Sequence, residues 1–204
     1  MIKMVRNEPM LDFFDRKAVF NKASEILLES GYERAGFESY SLPNDPLAKS
    51  MKEKKAVYNS LGTQKGEATN FIAVGSSAHG VLNDQYYFQN FYEQDLYRKS
   101  LKEGKLPIYR GLKMKPDDVI RREVIRHIRT FFNIEFDFFD KKYPHKFKDY
   151  FQKELMNLKT MENDGLLKIN ENNIMLTPLG EHFSPQIANV FDVYNDHEFY
   201  KRVI

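Results

Sequence analysis

Cysteine is absent from all 204 residues. That excludes disulfides, cysteine-based zinc sites, thiol catalysis and thiolate-bound iron–sulfur clusters. No apolar run is long enough to span a bilayer. The opening Met1-Ile2-Lys3-Met4-Val5-Arg6 lacks the apolar stretch of a secretory signal, so a cytoplasmic protein is expected. Neither sign of charge dominates, with 31 Lys+Arg against 29 Asp+Glu. The balance gives no global argument for nucleic acid or an anionic membrane as partner. Internal repeats and low-complexity segments are also lacking. What the chain does have is core-forming side chains: 42% of it is hydrophobic, with 17 Phe and 12 Tyr, which excludes a disordered chain. Its length suffices for one large domain or two small ones with a real core.

The first half reads as α/β. Residues 10–30 carry Phe13, Phe20 and Leu27 on one helical face and stop at Gly31. A strand is expected over residues 35–42, ending at the turn-forming Pro43-Asn44-Asp45-Pro46, and a short charged helix over 47–55. Phe71-Ile72-Ala73-Val74 is a short apolar run feeding Gly75-Ser76-Ser77-Ala78-His79-Gly80, the pattern of a buried parallel strand entering a loop. Residues 88–103 are expected to form a helix ended by Gly104. Two strands cannot close a barrel, so this half reads as a piece of a larger sheet.

From Pro116 the pattern becomes helical. Pro116 opens a helix with Asp117 and Asp118 in the first turn, where the helix dipole favours acids. Ile120, Val124, Ile128 and Phe131 share one face. A second helix over 147–163 repeats this with Phe147, Phe151, Leu155 and Leu158, and Gly165 supplies a left-handed stop. Leu167 and Ile169, then Ile174 and Leu176, alternate about Glu171-Asn172-Asn173 as a β-hairpin. Helices followed by a hairpin suggest a winged-helix-like module. The boundary falls near Leu112 to Lys115, dividing residues 1–113 from 114–204.

Few positions suggest chemistry. The small residues of the 75–80 loop allow a ligand close to the backbone, and serve a tight turn equally well. His79 can stack on a ring or hydrogen-bond a ligand; no second histidine stands at metal-ligand spacing. Arg110, Arg121 and Arg122 are candidates for carboxylate binding, since guanidinium meets a carboxylate bidentately. The competing reading puts Arg121 and Arg122 on a solvated helix face opposite Ile120 and Val124. Phe131-Phe132 and Phe136 to Phe139 could flank a flat macrocycle, although such spacing more often builds a core.

The order of these signals resembles one family. Leu106-Pro107-Ile108-Tyr109-Arg110-Gly111, Lys115-Pro116-Asp117-Asp118, Arg121-Arg122-Glu123-Val124-Ile125 and Leu176-Thr177-Pro178-Leu179-Gly180 stand in the order found in the C-terminal half of the oxygen-independent coproporphyrinogen III oxidases. Phe37-Glu38-Ser39-Tyr40, Asn90, Tyr97, Gly104 and Val190-Phe191-Asp192-Val193-Tyr194 also match, and Gly62-Thr63-Gln64 resembles a family loop with differences and one added residue nearby. Departures occur at Leu42, which replaces a basic residue before Pro43, and over Ser184-Pro185-Gln186-Ile187-Ala188-Asn189, where another basic residue is lost.

The resemblance implies a partial (β/α) radical-SAM-type barrel followed by a winged-helix-like domain. The family uses S-adenosylmethionine and a 4Fe–4S cluster for oxidative decarboxylation of tetrapyrrole propionates in heme biosynthesis. The CxxxCxxC cluster motif belongs to the half that this chain does not resemble. On the match, Ala78 and His79 lie at the S-adenosylmethionine pocket, and Arg110 and Arg121 are substrate-binding. The chain alone is expected not to catalyse, to hold no metal, and to work with a tetrapyrrole and a separate chain carrying the radical SAM half. Two other readings remain open. Ala78-His79-Gly80 is closer to a heme-trafficking branch of the family. A winged-helix nucleic-acid-binding or interaction module is the other, but residues 147–163 offer Lys148, Lys153 and Lys159 against Asp149, Glu154 and Glu162, with no arginine to read guanine.

Overall fold

The computed structural model describes residues 11–59, 62–66 and 70–194. Met1 to Arg6 and the expected first-helix residue Met10 lie outside the described residues. In chain order the elements begin with α1 (Phe13–Glu29), β1 (Glu33–Arg34), β2 (Tyr40–Ser41), α2 (Pro46–Lys52), β3 (Val57–Asn59) and β4 (Gly62–Gln64). Then come β5 (His79–Leu82), β6 (Tyr86–Asn90), α3 (Gln94–Lys102), β7 (Ile108–Lys113) and α4 (Pro116–Phe131). The rest is β8 (Asn133–Glu135), α5 (Phe136–Lys142), α6 (Phe147–Tyr150), α7 (Gln152–Asn163), β9 (Leu167–Ile169), β10 (Asn173–Leu176), α8 (Pro178–His182) and α9 (Ser184–Asn189).

The packed core lies around α4. Ile120, Val124 and Ile128 face Ile134, Phe136, Phe139, Phe147, Phe151, Leu158, Leu167, Ile174 and Phe191 in one buried cluster. The expected helical face is therefore real, although Phe131 at its end is only half-buried. The aromatic run after α4 serves this core: Phe136 stacks on Phe147 and Phe139 meets it edge-on. The hairpin forms in the expected register, Ile174 against Ile169 and Leu176 against Leu167. A third strand unforeseen in the sequence, β8, pairs with β10 on its other edge. It follows Phe132, whose left-handed φ of 57° turns the chain sharply out of α4. The expected helix over 147–163 is broken at Phe151 (φ −107°, ψ 32°), where Phe147, Phe151 and Phe191 all turn their rings inward. Gly165, at φ 75°, makes the junction from α7 to β9.

The first half departs further from expectation. All strand pairs registered among the described residues are antiparallel. The parallel strand expected at residues 71–74 is not formed: Phe71 makes one antiparallel bridge to Val81, and Ile72 and Val74 are 78% and 84% exposed. A doubly buried strand needs neighbours on both edges and both faces, and the described residues supply neither. Of the strand expected over 35–42 only β2 forms, paired with β1 ahead of that range, and Gly36 takes φ 77° between the two. The helix expected from residue 88 gives way to β6, because Tyr86-Tyr87-Phe88 suits a half-buried strand; α3 starts only after Glu93. The expected helix over 47–55 stops at Lys52. The first helix forms, but none of its residues is buried. Among the described residues no helix is long and apolar enough to cross a membrane.

Candidate functional site

The sheet β5-β6-β7 and the loop entering it carry the candidate site. Leu82 to Gln85 is a tight hairpin turn closed by Gln85 N–H on the Leu82 carbonyl (3.1 Å), with Asn83 and Asp84 at φ 51° and 52°. Asn and Asp tolerate that left-handed pair better than other side chains. The turn fixes the register His79↔Gln89 and Val81↔Tyr87, and β7 extends it as Gln89↔Arg110 and Tyr87↔Leu112. Because side chains alternate across a sheet, His79, Gln89 and Arg110 form one row on one face, with Val81, Tyr87 and Leu112 in the next. The Phe88 ring on the opposite face packs over Gly80, where an added Cβ would overlap it at 2.1 Å.

The loop before β5 is pinned from beneath. Asn90, only 2% exposed, donates from Nδ2 to the carbonyls of Ala73 (3.3 Å) and Gly75 (2.9 Å). Gly75 N–H donates to the Tyr97 hydroxyl (3.0 Å), and Ser77, at φ 60°, donates its N–H to the Phe91 carbonyl (2.8 Å). Ala78 is half-buried and accepts from Asn90 N–H (2.9 Å). His79 is the first residue of β5 rather than part of the loop, and its side chain is exposed.

Arg110 donates from Nε to Gln89 Oε1 (2.9 Å), while Gln89 donates from Nε2 to the Ser77 carbonyl (3.1 Å). The row thus ties the loop to β7 through one amide side chain. His79, Gln89, Arg110 and Leu112 line an open groove of about 290 Å³. Sequence reasoning passed over Gln89, and matched Asn90 only by its spacing. The available signal was two amides ending an aromatic strand.

Arg121 sits apart from this row. It donates from Nε to Asp117 (2.8 Å), and from Nη1 to Glu154 (2.8 Å) and the Phe191 carbonyl (3.3 Å), with its guanidinium over the Phe151 ring. Burial pushes the Asp117 carboxyl up, but hydrogen bonds from Tyr150 and Arg121 outweigh it and hold it below its ordinary value. Burial and the hydrogen bond to Asp117 push the Tyr150 phenol up to about 12. Arg122 grips both Asp84 oxygens, from Nη1 (2.9 Å) and Nη2 (2.8 Å), and Arg126 reaches the same carboxylate (3.3 Å). The solvated face expected for Arg121 and Arg122 is therefore corrected: each side chain is 14% exposed, because one lies against α7 and the other against the β5–β6 turn. Arg121 and Arg122 do share a cavity of about 220 Å³ with Tyr87, Leu112, Ile125 and Phe191.

Comparison with known proteins shows what the chain as a whole is similar to. Residues 114–181 match the family model of the HemN C-terminal domain. The oxygen-independent coproporphyrinogen III oxidase of Helicobacter pylori strain J99 is 28% identical over 88% of this chain and 39% of its own length. That of Escherichia coli K12 is 29% identical over 86% and 38%, and that of Synechocystis is 31% identical over 82% and 37%. A solved structure, described as coproporphyrinogen III oxidase (HemN) from Escherichia coli, a radical SAM enzyme, superimposes with a TM-score of 0.82 at 26% identity. It covers 93% of this chain and 43% of that one, and shares its mixture of helices and strands. The chain spans 36–39% of the length of those relatives aligned over most of it. It is a relative of the oxygen-independent coproporphyrinogen III oxidases and corresponds to their C-terminal region.

Proposed function

We propose that this chain supplies the C-terminal portion of a radical SAM protein of the coproporphyrinogen III oxidase type, completing a site that acts on tetrapyrrole propionates. The observation that carries the reading is the superposition over 93% of this chain but only 43% of the oxidase, by a chain without cysteine. Residues 1–113 are read as the closing part of a (β/α) barrel with its connecting helix. Residues 114–204 are read as a winged-helix-like domain, a reading supported by α4 and α7 packed beside the β8-β10-β9 sheet.

The residues present do not fit an iron–sulfur cluster. Cysteine is lacking, and among the described residues no group of His, Asp and Glu is placed to hold a metal ion. In this reading the cluster would be held by the part of the relatives' length that this sequence does not span. For S-adenosylmethionine, Ala78 and His79 are the proposed wall, supported by the hydrogen bonds from Asn90 to the Ala73 and Gly75 carbonyls of the preceding loop. Arg110 is the proposed contact to a substrate carboxylate. Arg121, bound to Asp117 and Glu154, reaches substrate only from the wall of its cavity.

The test pairs this chain anaerobically with the cluster-bearing N-terminal portion of the Helicobacter pylori relative. The expected result is a complex that releases 5′-deoxyadenosine from S-adenosylmethionine, while this chain alone shows only the free-cluster background. No complex, or cleavage by this chain alone, contradicts the reading. A heme-trafficking role is the second reading, favoured by the exposed His79. Heme retained by the purified chain and lost in His79→Ala would replace the first reading by the second.

A further inference from the structure

We propose that His79, Gln89 and Arg110 form a single carboxylate-binding row, in which Gln89 is the positioning residue that aims Arg110 at the ligand. The inference rests on the functional reading above and deepens it by joining a residue assigned to the cofactor with one assigned to the substrate.

The three side chains stand in register on adjacent strands. Neighbouring strands lie about 4.8 Å apart, so the row measures roughly 10 Å from His79 to Arg110 at the backbone. Gln89 occupies the middle and is bound at both ends of its amide: its oxygen accepts from Arg110 Nε and its nitrogen donates to the Ser77 carbonyl. What it does is fix the guanidinium plane by its inner edge. The two terminal Arg110 nitrogens have no hydrogen-bond partner among the described residues, and they border the groove that His79 also lines. A guanidinium held at Nε with both Nη groups open presents the paired donors that a carboxylate takes bidentately. His79 adds a ring N–H at the far end. The contrast with Arg121 and Arg122 is internal to the molecule, since those two guanidinium groups are already closed by Asp117, Glu154 and Asp84.

The carboxylate has two available sources: the amino-acid end of S-adenosylmethionine, and a tetrapyrrole propionate. Each is tested on the purified full chain by NMR, following the Arg110 Nε–H and the His79 ring protons. Sodium propionate is expected to shift both sets of resonances, with a dissociation constant above about 1 mM for so exposed a site. Arg110→Ala should abolish the shifts. Gln89→Ala should weaken binding about fivefold, the loss expected for one hydrogen bond. Gln89→Glu retains an acceptor for Arg110 Nε but loses the donor to the Ser77 carbonyl, and its charge should repel the anion and remove binding. A side chain that only completed the sheet would leave propionate affinity unchanged in Gln89→Ala. S-adenosylmethionine binding better than its decarboxylated analogue assigns the row to the cofactor. Equal binding of those two, with displacement by a propionate-bearing tetrapyrrole but not by its methyl ester, assigns it to the substrate.

The row is overturned if neither propionate nor S-adenosylmethionine moves these resonances, or if Gln89→Glu binds as the parent does. Should the assembled complex cleave S-adenosylmethionine while no carboxylate binds here, the row falls and the functional reading stands. Carboxylate binding without cleavage by the complex reverses that outcome.

Discussion

Residues 116–191 and residues 13–113 are held together differently. The later region gathers fifteen buried apolar side chains into one cluster, with Phe147, Phe151 and Phe191 fully buried. In the earlier one the buried apolar residues among those described are Ala35, Ala48, Ala56 and Val81. Large side chains there stay uncovered, with Phe14 75%, Ile72 78% and Leu106 79% exposed. The later region makes its own core. The earlier one rests against it through polar contacts: Arg122 and Arg126 on Asp84, Arg129 on the Tyr58 hydroxyl (2.8 Å), and Arg34 on Glu181. Helix α4 is the hinge of this arrangement, since its apolar face enters the core while its arginines meet the earlier region. α1 adds ring contacts to the later region, Phe20 on His182 and Phe13 on Phe183.

The largest effect should come from the core. Phe151→Ala is expected to cost about 3–5 kcal/mol, the range for deleting a buried aromatic ring, whereas Phe14→Ala should stay within about 0.5 kcal/mol. Chemical denaturation of both variants checks the contrast, and similar losses would break it. Next is the polar seam. Asp84→Ala removes the shared carboxylate of Arg122 and Arg126 and should cost about 1–3 kcal/mol, as for a half-buried charge left without its partner. Limited proteolysis should then cut residues 70–113 sooner while 116–191 persist; an unchanged pattern would show that the seam does not hold the regions together.

Gly165→Ala should cost roughly 1 kcal/mol through its left-handed backbone alone. No atom within 4 Å would meet the added methyl, so a much larger loss would point to something other than conformation. The smallest effect concerns pH. The Tyr150 phenol has its folded value near 12, above the ordinary 10.0. Its stabilising contribution is therefore whole below pH 10 and is lost as pH rises through about 12. Tyr150→Phe should flatten that part of the stability profile, and an identical alkaline decline in both proteins would remove Tyr150 as its source.

The sequence was most legible where one face met one core. The α4 stripe, the Ile174–Ile169 hairpin and the Gly165 stop all follow local rules of spacing and φ. It was least legible where non-local pairing decides. Tyr86-Tyr87-Phe88 suits a strand but carries no helix-breaking residue, and its pairing with β5 and β7 decides between the two. Phe71-Ile72-Ala73-Val74 has the apolar content of a buried strand, yet burial needs neighbours that the described residues do not provide. At the candidate site the loop, His79 and Arg110 were visible as residue types. Gln89 was not, because its importance lies in a register that joins strands twenty residues apart.

Hydrogen exchange resolved by residue tests the difference between the two regions most directly. Amides at Val124, Ile128, Phe151 and Ile174 should exchange only on global opening, while those of α1 and residues 71–75 should exchange by local opening, at least about a thousandfold faster. Protection of α1 as strong as that of α4 in the isolated chain would contradict the claim that residues 116–191 hold a core of their own and the earlier region does not.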